Sequence, residues 1–109
     1  MEFDRYFVVL LKTGPNHDPI SEEDAQALQV AHLNHIRDMA EQGKLAIAGP
    51  FNNAPEELRG MFILTVETLE EAQAITDSDP AVKAGRLTVI IAPWMVEKGA
   101  LVTNVDTYQ

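Results

Sequence analysis

Tyr6-Phe7-Val8-Val9-Leu10-Leu11 decides the fold. The run is aromatic, β-branched and aliphatic, Gly14-Pro15 closes it, and it predicts a strand. Strand side chains alternate between two faces, so Tyr6, Val8 and Leu10 lie on one side and Phe7, Val9 and Leu11 on the other. Both sets are apolar. A sheet with helices on one side normally turns polar residues outward on the other. This strand predicts a sheet covered on both.

Downstream, Ser21-Glu22-Glu23-Asp24 opens a helix, with Ser21 as the cap and three acids on the positive end of the dipole. Ala25, Leu28, His32, Ile36 and Met39 recur at helical spacing, and Gly43 supplies the left-handed stop, so the helix spans about Glu22 to Gln42. Lys44 to Ala48 is a second strand ended by Gly49-Pro50, and Gly60 to Val66 a third. Thr68-Leu69-Glu70-Glu71 is a capping box opening a short helix through Asp77. Asp79-Pro80 breaks it, with a further turn at Ala81 to Gly85. Leu87 to Ala92 is the fourth strand, with Pro93 at its end. The order βαββαβ predicts an α+β, ferredoxin-like fold over residues 1–96: a four-stranded antiparallel sheet with two helices on one face, followed by a tail at 97–109. The third and fourth strands are apolar on both faces as well. Two helices cover one face, and a second copy of the chain presenting the same surface is the simplest cover for the other, a sheet-to-sheet homodimer.

The chain has 109 residues, enough for one core. Eight Lys and Arg face seventeen Asp and Glu, a formal charge of −9. That surface repels nucleic acid and anionic membranes. No apolar stretch is long enough to span a bilayer. The acidic start of the chain is unlike a signal peptide, and there is no cysteine. We expect a cytoplasmic protein.

Three histidines offer chemistry. His17 sits beside Asp18 in a polar loop and is expected in solvent. His32 falls on the apolar stripe of the first helix, between Leu28 and Ile36. It is either a hydrogen-bonded core histidine or a general acid–base residue facing a cleft. His35 is one turn on, and a pair three residues apart also has the spacing of two metal ligands, although no His-Glu-x-x-His pattern supports a metal site. Asp79, before Pro80, is either a turn initiator or a carboxylate that orients an imidazole; the two helices share a sheet face, so His32 and Asp79 are able to meet. Gly49-Pro50 and Arg59-Gly60 flank the connection between the middle strands, where glycine serves a turn or close approach of a ligand. Arg59 is a surface charge or a partner for a substrate carboxylate. Trp94 walls a pocket or packs in the dimer. We take Gly49, Pro50, Arg59 and Trp94 as substrate-binding candidates.

Ala31-His32-Leu33, Glu41-Gln42-Gly43-Lys44-Leu45 and Ala48-Gly49-Pro50, followed by Glu70-Glu71-Ala72, Asp79-Pro80, Ala84-Gly85 and Ala92-Pro93-Trp94, resemble the ordered motifs of the YciI-like (YCII-related) family across roughly residues 4–96. The resemblance implies a ferredoxin-like fold dimerising through its sheets, as in the dimeric α+β barrels. It also implies an active site centred on His32 and Asp79. One activity in the family removes chloride from a chlorinated hydroxyquinol, and muconolactone isomerases share the wider fold. The chain departs from the pattern at Gln29, where many members carry arginine, and at Ala81, where many carry an aromatic.

Three functions follow as expectations. The first is a cofactor-free enzyme using His32 and Asp79 to eliminate from or isomerise a small cyclic or aromatic compound. The second is a small-molecule binding or accessory module using the same cleft. The third is a structural dimer in which His32 is merely satisfied.

Overall fold

The chain, in a computed structural model that describes residues 1–102, runs β1 (Phe3–Thr13), α1 (Glu22–Glu41), β2 (Leu45–Pro50), β3 (Leu58–Leu64), α2 (Leu69–Asp77), α3 (Pro80–Lys83) and β4 (Leu87–Glu97). The strands form one antiparallel sheet in the order β2-β3-β1-β4, the ferredoxin-like arrangement. Val9, Leu11, Phe62 and Leu64 point to one face, where Met39 of α1 and Ala72 of α2 close the core over them. Each helix starts where its cap allows. The Ser21 hydroxyl accepts from Asp24 N at 3.0 Å, and Thr68 accepts from Glu71 N at 3.1 Å. Gly43 takes φ +72° and turns the chain out of α1.

The opposite face carries no helix. Tyr6, Val8 and Leu10 lie there against Trp94, Ala92 and Ile90 of β4, and Met61, Ile63 and Ile47 continue the apolar surface across β3 and β2. Ile47, Ile90 and Trp94 are exposed.

Two strands are longer than expected. β1 begins at Phe3 rather than Tyr6, and β4 passes through Pro93 to Glu97. A proline inside a strand is tolerated here because β4 is at the sheet edge and has one free side. Beyond it, Lys98 N donates to Glu2 O at 3.1 Å and Gly99 N to an Asp4 carboxylate oxygen at 2.9 Å. The first residues of the expected tail are therefore tied to β1; residues 103–109 lie outside the described residues.

The loop from Gly14 to Ile20 is fastened to the turn between α3 and β4. Gly14 N donates to Arg86 O, Asn16 N to Gly85 O and the Asn16 side-chain amide to Ala84 O. The Arg86 guanidinium donates to the carbonyls of Asn16 and Asp18. A Cβ at position 14 would sit 2.2 Å from Gly85 O, so only glycine allows this approach.

Candidate active site

α1 lies on the core only near its C-terminal end, where Met39 is its one buried residue. Its earlier apolar stripe, Ala25, Leu28, His32 and Ile36, instead walls a cavity of about 700 Å³. The sheet side of that cavity is made by Leu11, Gly60, Phe62 and Leu87, and the fastened loop contributes Asn16, His17 and Ile20.

His32 stands at the cavity wall with 14% of its side chain exposed, and its ring stacks on Phe62 at a centroid distance of 6.1 Å. Its Nδ1 meets Asp79 Oδ2 at 2.7 Å. Asp79 is completely buried. Its two oxygens divide the work. Oδ1 accepts from Ala81 N at 2.8 Å and Val82 N at 3.4 Å, capping α3, while Oδ2 faces the histidines. The position before Pro80 is extended, at φ −64° and ψ 128°, which is what lets the side chain turn back as a cap.

Burial by itself would raise the Asp79 carboxyl. The hydrogen bond from His32, the approach of His35, the charge of His32 and the Ala81 N–H together outweigh burial and hold the group well below the usual carboxylate range. An ionised Asp79 has no proton to give, so the bond at 2.7 Å is donated by His32 Nδ1–H. In the neutral ring Nε2 is then the free lone pair. An imidazole held in this tautomer by a buried carboxylate can take up a proton at Nε2.

The second histidine of the helix also turns to Asp79. His35 Nδ1 lies 3.4 Å from Oδ2, and its Nε2 is 2.9 Å from the Ser78 hydroxyl. The two rings that had metal-ligand spacing in the sequence are thus both directed at one carboxylate.

Of the substrate-binding candidates, Gly49, Pro50 and Arg59 line the cavity. Trp94 does not. It pairs with Tyr6 across β1 and β4, with ring centroids 6.4 Å apart, on the sheet face away from the helices. Strand alternation places it there, and its side chain belongs to the open apolar face. His17, expected in solvent, is exposed but on the cavity rim. The sequence reading passed over Arg37 and Arg86, which also line the cavity; their sign, in so acidic a chain, was the available signal.

A family model described as a YCII-related domain matches residues 6–95. The chain belongs to the YCII-related family. Among solved structures, this YCII-related chain is similar to the 5-chloro-2-hydroxyhydroquinone dehydrochlorinase of Burkholderia phenoliruptrix in complex with 2,5-dihydroxybenzoquinone, at TM-score 0.63 and 23% identity, over 85% of this chain and 96% of that one. The likeness is one of fold. Weaker similarities are to an Arabidopsis thaliana protein (TM-score 0.47, 15% identity, 89% and 99% covered) and to the hydroxynitrile lyase of Passiflora edulis (TM-score 0.45, 8% identity, 87% and 95% covered). No curated protein matches the sequence. No helix among the described residues is long and apolar enough to cross a membrane.

Proposed function

We propose that this YCII-related protein is a small-molecule enzyme in which His32 Nε2 is the general base and Asp79 its positioning carboxylate. The observation that carries this is the 2.7 Å bond between Nδ1 of a cavity-wall histidine and a completely buried, ionised aspartate. The step is proton abstraction from a bound cyclic or aromatic compound. The electron pair left behind forms a new double bond and expels a leaving group, or relocates an existing double bond when the proton returns elsewhere. Side chains alone supply this chemistry. The dehydrochlorinase whose fold is similar acts on a chlorinated hydroquinone, which supports elimination as the reaction class.

We also propose that the working form is a homodimer joined through the open apolar face, which leaves the cavity on the opposite side of the sheet accessible.

Halide or proton release measured against a panel of chlorinated hydroquinones and small unsaturated lactones tests the enzyme reading. Turnover is expected for the natural sequence and is expected to fall by about 10²–10⁴ in His32→Ala. Turnover that is indifferent to His32→Ala removes His32 as the base. Saturable binding with no turnover of any compound favours a binding module.

A further inference from the structure

We infer that the cavity is selective for a small organic anion with an apolar body. The inference rests on the cavity being the substrate site, and it adds the charge class of the occupant. The chain as a whole is strongly acidic, with eight Lys and Arg against seventeen Asp and Glu. The cavity reverses that balance. Arg37, Arg59 and Arg86 line it, three of the chain's eight cations, and no Asp or Glu among the described residues does.

The three arginines come from separate places, α1, β3 and the residue before β4, so no single amphipathic element brings them together. None of their guanidiniums is in an ion pair with a carboxylate among the described residues. Arg86 donates to two backbone carbonyls, which fix its position and leave its charge uncompensated. The carboxylate of the histidine pair, Asp79, is completely buried and already accepts from His32, Ala81 and Val82. A cleft lined by one sign of charge concentrates its field on the interior. Between the charges, Leu11, Ile36, Phe62 and Leu87 offer apolar surface to the rest of the ligand, and the volume of about 700 Å³ suits a ring-sized compound. A carboxylate and a phenolate share this chemistry. The same cations also favour negative charge that develops on a substrate as His32 removes a proton.

Equilibrium binding to the full chain tests the inference with benzoate, benzamide, benzylamine and 4-nitrophenolate, followed by backbone amide shifts in NMR. These probes have similar rings and differ in charge. Benzoate or 4-nitrophenolate is expected to bind about tenfold or more tighter than benzamide at low salt, with benzylamine weakest. Whichever anion binds tighter names the class. The preference is expected to shrink as salt rises from about 0.05 to about 0.5 M. Arg37→Gln and Arg59→Gln, on exposed positions, are each expected to weaken the anion several-fold and to leave benzamide unchanged. Equal or tighter binding of benzamide or benzylamine, or no binding of any probe, overturns the inference. Because binding is read rather than turnover, His32→Ala is expected to keep the anion preference, so failure of the acid–base mechanism and failure of this inference are told apart.

Discussion

His35 Nδ1 lies 3.4 Å from Oδ2 of Asp79, the same oxygen that receives His32 Nδ1–H at 2.7 Å. The Ser78 hydroxyl donates its one proton to Ile75 O at 2.7 Å, so His35 Nε2 must be the donor in its 2.9 Å contact with Ser78. Nδ1 is left buried without a hydrogen-bond partner. His35 is a second support for the charge on Asp79, and it does not line the cavity.

The pH dependence of folding follows from this cluster. The folded Asp79 carboxyl sits well below its ordinary value, with His32 and His35 among the causes. Its contribution to stability is therefore fully present above about pH 4 and is lost as pH falls through the folded value. Chemical denaturation at a series of pH values is expected to show stability declining in that acid range. In His35→Leu the depression is smaller. Stability at neutral pH is expected to drop by on the order of 1 kcal/mol, and the acid decline to become shallower. An unchanged acid profile in His35→Leu would show that the second histidine does not support Asp79.

The division of labour between the two oxygens of Asp79 separates two substitutions. In Asp79→Asn the amide oxygen takes over the cap of α3, and the amide NH₂ is left facing His32. That group donates, so His32 Nδ1 must accept and the ring proton moves to Nε2. Long-range ¹H–¹⁵N spectra are expected to show His32 as the Nδ1–H tautomer in the natural sequence and the Nε2–H tautomer in Asp79→Asn, with the fold retained at a loss of roughly 1–3 kcal/mol. Asp79→Ala removes cap and counter-charge together, and is expected to cost roughly 3–5 kcal/mol. Identical tautomers in the natural sequence and Asp79→Asn would sink the positioning role.

The open sheet face predicts association. Sedimentation at micromolar concentration is expected to give twice the 12.0 kDa chain mass. Ile90→Glu and Ile47→Glu, both at exposed positions of that face, are expected to give monomers with unchanged secondary structure. A charged group in the middle of an apolar interface is costly to bury, while on a solvated sheet it costs little. A natural sequence that sediments as a monomer would refute the dimer.

Much of this molecule was legible in its residues, and the illegible parts share a cause. Element order came from local signals: Ser21 and Thr68 as caps, Gly43 as a stop, and the doubly apolar Tyr6–Leu11 run. The pairing of His32 with Asp79 was foreseen as a possibility because both helices had to share a face, but their 2.7 Å contact depends on how α3 packs beside α1. Trp94 was left between a pocket wall and the dimer because its side is set by pairing with Tyr6, 88 positions earlier, and no local pattern records that register. Pro93 read as a strand end because nothing local says that β4 is an edge. The apolar stripe of α1 left core and cleft undecided, since helical periodicity reports which side is apolar and is silent on whether protein or an empty volume faces it.

That last point bears on how such a protein changes over generations. Ala25 and Leu28 shape the cavity, Val9, Leu64 and Met39 hold the fold, and Leu11, Ile36 and Phe62 belong to both. At Ala25 and Leu28 the wall can be recarved while the scaffold keeps its margin of stability. One architecture can thus hold differently shaped occupants without disturbing the bond between His32 and Asp79.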